Sequence, residues 1–366
     1  MPKSYATQVQ VIINALNHMP ASENKVSGSH GIGALVSNSM MFQRFPTHDG
    51  YEDPQLSNFY GMVMPLLKHG VPVETVHMEN LGYPESTKDL KVLIMSYANM
   101  KPMAPEVHKH LADWVEQGGV LLYYGRDQDP FQHVREWWNN DGQNNNIPSD
   151  DLFSRLGIDE ENPEGTYPYG DGKLVITRKD PKELVMQEGG GQAFVNLVQQ
   201  SYEQDAGAGS LITKNSLFLQ RGPYDVVSVM DESVSSAPYR VEGPVIDLFD
   251  PTLPVLEEKV VRPGHQALLY NLNRLENASM PQVLATAARV SSEEVSARSY
   301  SFTAKGPSGT QNVMRILLPG EPTKVQVLGS EQQAAAEASH QWDAASKTLL
   351  LEFENSADGK YVTIEW

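Results

Sequence analysis

KVLIMSYANMKPMAPEVHKHLADWVEQGGVLLYYGRD, residues 91–127, decides the fold of this chain. Residues 92–97 form a short apolar run, the pattern of a strand buried on both faces. Pro105 opens a helix, where its missing N–H costs nothing. Val107, Leu111, Trp114 and Val115 recur at helical spacing, and Gly118 and Gly119 stop the helix. Residues 120–124 are a second buried strand, followed by Gly125, Arg126 and Asp127. This is a β-α-β unit, whose right-handed crossover makes its strands parallel. Ligands of such sheets sit at the carboxyl ends of the strands, so functional residues are expected just after Val36, Met78, Tyr97 and Tyr124.

Working outward, residues 5–19 read as a helix with Val9, Ile12, Ile13 and Leu16 on one face. Residues 31–36 are the first strand and 37–54 a long polar loop. Residues 55–69 are a second helix, with Pro65 predicting a kink or break, and residues 71–78 the next strand. Past Asp127, residues 131–139 (FQHVREWWN) and 151–156 read as helices, and 173–177 as a strand. Residues 181–188 and 192–202 are helical, and 206–210 (AGAGS) are the expected linker. Beyond Leu211 the texture turns all-β, with short strands broken by Pro, Gly and Asp. Residues 330–341 read as a loop or a surface helix. RGPY (221–224) and KGPSGT (305–310) read as hairpin turns. The expected fold class is α/β followed by all-β: a flavodoxin-like, class I amidotransferase-like parallel sheet domain, then one or two β-sandwich modules. The expected segments are 1–205, 211–275 and 281–366.

The chain has 366 residues, enough for two or three domains, and 40% are hydrophobic. Forty-six acidic residues against 28 basic leave a net charge of −18, which repels phosphate backbones and anionic lipid and argues against nucleic-acid or membrane partners. With no cysteine, disulfides, thiolate nucleophiles and cysteine-held metals are excluded. No signal core precedes the first helix and no run reaches the ~18 residues of a membrane span. A cytoplasmic setting is the expectation.

A strand-to-helix turn in such a sheet invites a nucleophile elbow, which needs Ser or Cys. Here the turn reads Gly125–Arg126–Asp127, so serine-hydrolase or amidotransferase chemistry is excluded at this position. The loop at 43–53 (QRFPTHDGYED) gathers Arg44, His48, Asp49, Tyr51, Glu52 and Asp53 after the first strand. It suits sugar contact or an interface with another domain or subunit. A metal reading of His48 with Asp49 is poorer, because adjacent side chains point apart. Glu79, Asn99, Arg126 and Asp127 end the other strands. Glu79 and Asp127 are the pair that strand ends bring together for glycosidase work, which needs carboxylates about 5–9.5 Å apart. The plainer role for both is to cap backbone amides. His108 and His110, two apart on a helix, face different ways and make no metal pair. Of the adjacent Trp137 and Trp138, one is expected to pack inward and the other to meet an interface. No cofactor is expected.

GIGALVSNSMMF (31–42), PLLKHGVPVETVHMEN (65–80), KVLIMSYANMKP (91–102) and WVEQGGVLLYYG (114–125) carry a resemblance. Residues 31–127 resemble the amidotransferase-like middle domain, often called the trimerisation domain, of family-42-type β-galactosidases. In those enzymes a TIM barrel holding both catalytic glutamates precedes the domain, and a small β domain follows. The segments 221–232, 245–272 and 347–366 look like C-terminal β modules of carbohydrate-active enzymes. This chain opens with one helix in place of a barrel, so no catalytic glutamate carries over to any position. Residues 5–19 would then be the last helix leaving such a barrel.

The resemblance implies a non-catalytic assembly and active-site-completing portion of a glycoside hydrolase acting on galactoside-like glycosides. Its partners would be carbohydrate and either other copies of itself or a TIM-barrel subunit. Arg44, His48, Asp49, Tyr51, Asp53, Asn99 and Arg126 are the candidate substrate or interface residues. Two alternatives stay open. One is a self-sufficient hydrolase using Glu79 and Asp127, and the other is a carbohydrate-binding protein with its site on the β modules.

Overall fold

The computed structural model describes residues 3–20, 24–41, 57–140, 142–329 and 336–366. The chain forms two compact units, each built from separate stretches: Ser27–Leu217 with Met230–Ser235, and Met1–Val26 with Phe218–Val229 and Ser236–Trp366. Helix α1 (Lys3–His18) and the short strand β1 (Lys25–Val26) open the chain and belong to the second unit.

The first unit runs β2 (Ile32–Val36), α2 (Ser57–Lys68), β3 (Glu74–His77), β4 (Val92–Met95), α3 (Glu106–Glu116), β5 (Val120–Tyr124), α4 (Pro148–Arg155), β6 (Gly165–Tyr169), β7 (Gly172–Thr177), α5 (Pro181–Met186) and α6 (Gly190–Gln200). Its sheet has the order β3-β2-β4-β5-β7-β6. Pairing is parallel from β3 to β7, and β6 closes the edge antiparallel to β7. Counted along the chain, the parallel strands lie in the order 2-1-3-4-5, the flavodoxin-like doubly wound arrangement. β2, β4 and β5 are buried at every position, which is why they read as unbroken apolar runs rather than alternating ones. α2 packs with α5 and α6, and α3 with α4. Gly61 permits the α2–α5 contact: a Cβ there would lie 2.0 Å from the Pro181 carbonyl oxygen.

The second unit contains β8 (Ser216–Arg221), β9 (Tyr224–Val229), β10 (Tyr239–Asp247), β11 (Val255–Val261) and β12 (His265–Asn271). With β1 they form one sheet, β1-β8-β9-β12-β10-β11. Successive residues point to opposite faces, and both faces are apolar: Val227, Val229 and Leu269 line one core, Leu268, Tyr270 and Ile246 another. The remaining strands are β13 (Gln282–Thr286), β14 (Arg289–Val295), β15 (Ser299–Lys305), β16 (Gln311–Leu317), β17 (Lys324–Leu328), β18 (Ala338–Asp343), β19 (Thr348–Glu354) and β20 (Lys360–Glu365). They make a sandwich of two antiparallel sheets, β13-β16-β19-β18 and β14-β15-β20-β17. Tyr300, Phe302, Ile316, Leu351 and Val362 fill its interior. The fold class is the expected one, α/β followed by all-β.

Several elements differ from expectation. Residues 131–139 are turns, with only a single 3-10 turn at Trp137–Asn139. α2 continues through Pro65 to Lys68. Residues 206–210 are no free linker: Ala206 and Ala208 pack on the α/β core, and Ser29 Oγ accepts the Ile212 N–H at 2.8 Å. RGPY does turn β8 into β9, its Gly222 at φ +56°. KGPSGT instead carries the chain from one sandwich sheet to the other, because β15 and β16 lie in different sheets. Ala338–Asp343 is an edge strand rather than loop or helix. Among the described residues no helix is long and apolar enough to cross a membrane.

Candidate functional site

The order 2-1-3-4-5 puts the topological switch point between β2 and β4, where doubly wound sheets open a crevice for ligands. The side chains there come from the segments that follow those two strands and β5. Ser39 Oγ donates to the Lys101 carbonyl oxygen (2.8 Å) and accepts the Lys101 N–H (2.7 Å). The Ser37 hydroxyl also reaches that carbonyl, at 2.8 Å, and lies 2.9 Å from Glu79 Oε1. Lys101 itself turns inward and is only 3% exposed. Its Nζ donates to the Tyr97 carbonyl (2.5 Å) and to Asp129 Oδ2 (3.0 Å). Asp129, 8% exposed, also accepts the Phe131 N–H (3.0 Å) and Gln132 Nε2 (2.7 Å). Burial lowers the Lys101 pKa, opposed by the charge of Asp129. An ion pair removed from water in this way holds only because each partner is also fully hydrogen-bonded.

Two further buried networks flank the pair. Asp127 accepts from the Tyr123 hydroxyl, from Ser149 Oγ (2.8 Å) and from Arg178 Nη1 (2.6 Å). Burial nonetheless raises the Asp127 pKa above its ordinary value. On α3, His108 is fully buried between the Asp151 carboxylate (Nδ1, 2.8 Å) and the Tyr97 hydroxyl (Nε2, 2.5 Å). A carboxylate facing Nδ1 can only accept, so that nitrogen carries the proton and Nε2 accepts from Tyr97. Burial lowers the His108 pKa despite Asp151. Arg155 Nε bonds the same carboxylate at 2.5 Å, and the Trp137 ring stands edge-on 5.1 Å from the imidazole.

The expected residues distribute as follows. Asn99 and Asp127 turn the chain after β4 and β5 in left-handed conformation, φ +61° and +59°, which Asn and Asp tolerate better than most residues. Glu79 takes the Asn38 N–H (2.9 Å) through Oε1, the amide-capping role, while its buried Oε2 has no partner among the described residues. Asp127 bonds side chains instead. β3 and β5 are separated by β2 and β4, three inter-strand steps or about 14 Å at ~4.8 Å each, and Glu79 and Asp127 share no hydrogen-bond partner. Arg126 is exposed and paired with Glu183 at 2.8 Å. Trp138 is buried, whereas Trp137 is partly exposed and donates to the Pro102 carbonyl at 3.0 Å. Arg44, His48, Asp49, Tyr51 and Asp53 lie outside the described residues.

Sequence reasoning missed Lys101, Asp129, Gln132, the His108–Asp151 contact and Arg178. Lys101 and Asp129 each stand two residues beyond a strand-end turn residue, and that spacing was the available signal. Among the described residues no group of three His, Cys, Asp or Glu is placed to hold a metal. The arrangement pairs Lys101 with Asp129, Arg178 with Asp127 and Arg155 with Asp151, and occupies both nitrogens of the buried histidine. These hydrogen bonds tie the strand ends to one another.

No family model and no curated protein matches the sequence. Among solved structures, the chain is similar to the β-galactosidase from Bacillus circulans sp. alkalophilus, with 11% identity over 66% of this chain and 42% of that one, TM-score 0.39. It is similar to the β-galactosidase from the psychrophilic Marinomonas ef1, with 13% identity over 73% and 41%, TM-score 0.36. A GH42 exo-carrageenase from Bacteroides ovatus matches at 6% identity over 92% and 29%, TM-score 0.27. The chain spans about two fifths of the length of these β-galactosidases.

Proposed function

We propose that this chain is a non-catalytic assembly and active-site-completing portion, or subunit, of a glycoside hydrolase acting on galactoside-like glycosides. The observation that carries the reading is the buried Lys101–Asp129 pair at the switch point. The place where a doubly wound domain would take a ligand is occupied by the domain's own side chains, each held by hydrogen bonds. Such a domain is suited to present its outer loops to something else. The resemblance of residues 31–127 to the middle domain of family-42-type enzymes names the setting, and Arg44, His48, Asp49, Tyr51 and Asp53 are the residues we assign to contact with a barrel or a neighbouring subunit. Association would run through the α/β unit.

The test uses the purified chain with p-nitrophenyl β-galactoside, alone and mixed with a family-42 barrel fragment. Alone it should show no turnover. With the barrel, the Arg44→Ala/His48→Ala/Asp49→Ala variant should lower activity at least about tenfold, ~1.4 kcal/mol, with the melting temperature unchanged. Turnover by the chain alone that Glu79→Gln or Asp127→Asn abolishes would overturn the reading in favour of a self-sufficient hydrolase. Light scattering that finds a strict monomer, with no complex formed with the barrel, would remove the assembly role.

A further inference from the structure

The second unit holds a cleft of about 430 Å³ between α1, the end of the six-stranded sheet and the sandwich strands β13 and β14. That volume lies within the ~300–1,000 Å³ of small-molecule sites. Tyr224 and Tyr270 line it with their rings almost wholly buried, 4% and 8% exposed, and packed edge to face at 5.1 Å. Neither hydroxyl has a hydrogen-bond partner among the described residues. The rings are buried but the hydroxyl oxygens are not sealed off, so the two hydroxyls open on one cleft and are free to bond whatever enters it. Around them stand Glu276, Glu293, Gln282 and Arg274. Arg274 is clamped by Asp225 through two bonds of 2.6 and 2.8 Å, and Glu293 is positioned by the Tyr300 hydroxyl.

We propose that this cleft binds a single neutral sugar residue. The chemistry is that of a polyol: carboxylates and an amide oxygen accept from ring hydroxyls, while tyrosine hydroxyls and a fixed guanidinium donate to them. The Arg274 charge is already met by Asp225, so Glu276 and Glu293 leave the rim acidic and unfavourable to carboxylated or sulfated sugars. Burial raises the pKa of both tyrosines, so their hydroxyls keep their protons at neutral pH. The cleft belongs to the β unit and its chemistry stands apart from the proposed role of the α/β unit, so either reading can fail alone.

The full chain is titrated with galactose, glucose and mannose, and with galacturonate as the charged counterpart, by ligand-observed NMR and calorimetry. At least one neutral hexose should bind saturably and galacturonate more weakly. Tyr270→Phe, which keeps the ring, and Glu276→Gln, at an exposed position, should each weaken binding about fivefold, the loss of one ordinary hydrogen bond. No saturable binding of any of the three hexoses overturns the proposal. So does hexose binding that Glu276→Gln leaves unchanged, or galacturonate binding as tight as galactose.

Discussion

Lys101 and His108 show how much of this site rests on single side chains. Within the core, the Lys101 side chain ties the segments after β4 and β5 together, and His108 ties α3 to Tyr97 and to Asp151 of α4. Lys101→Met would strand the Asp129 carboxylate in a place nearly closed to water. A buried pair broken on one side costs about 3–5 kcal/mol. Denaturant unfolding should show that loss, and Lys101→Met/Asp129→Asn should recover part of it by removing the orphaned charge. A cost near the ~0.5 kcal/mol of ordinary surface changes would mean that the pair is not the keystone described. His108 gives a pH signature. Its pKa is lowered from 6.5 by burial, so around and below that value the unfolded chain binds the proton more readily. Stability is therefore lost as pH falls from about 6.5 toward the lowered folded value. Burial pushes the Asp151 pKa up, but its bonds to His108 and Arg155 outweigh this and hold it below 3.8, so it titrates outside that window. Melting temperatures taken from about pH 7.5 to about pH 5 should fall in the native chain and stay nearly flat in His108→Gln. A flat native profile would contradict the assignment.

At the scale of elements, α1 is the instructive case. The sequence stripe Val9, Ile12, Ile13, Leu16 marks the segment as a helix, yet it is not the face that packs. The structure instead buries Thr7, Val11 and Ala15 and leaves Ile13 and Leu16 at 50% and 58% exposed. Val11 and Ala15 share a core with Ile246, Leu268 and Leu317, while Thr7 Oγ1 donates to the Gln311 carbonyl (2.8 Å) and Asn14 Nδ2 to the Thr286 carbonyl (3.0 Å). Satisfied polar groups at the flanks let a modest apolar face serve as the inner one. Val11→Asp should therefore cost more than about 2 kcal/mol through an unpaired buried charge, whereas Leu16→Ser should stay within about 0.5 kcal/mol. Thermal melts of the two variants decide it, and the reverse ranking would mean that the stripe is the packed face. The 131–139 segment failed as a helix for a related reason. Its polar groups find local partners, with Glu136 N–H donating to Asn139 Oδ1 and Asn139 Nδ2 to the Val134 carbonyl, and such local bonds compete with helix formation.

For the whole molecule, two compact units with separate cores should unfold as two calorimetric transitions, a case that two-state treatment does not cover. Lys101→Met should lower one transition and Val11→Asp the other. Movement of both by either variant would show a single cooperative body. The sequence by itself determined the parallel sheet, since runs buried on both faces carry their pattern in composition alone, and strand, helix and strand within residues 91–127 admit one handedness. It also determined the absence of thiol chemistry and of a serine at the turn after β5. Tertiary structure decided the rest. Strand order 2-1-3-4-5 set Glu79 and Asp127 three strands apart, which no linear spacing reveals. Whether KGPSGT closes a hairpin or crosses between sheets depends on which strands pair, a long-range choice. The buried Lys101–Asp129 bond and the Tyr224–Tyr270 cleft join residues whose meeting is fixed only when the core closes, because desolvation, which gives those groups their meaning, is a property of the packed chain and not of the residues in line.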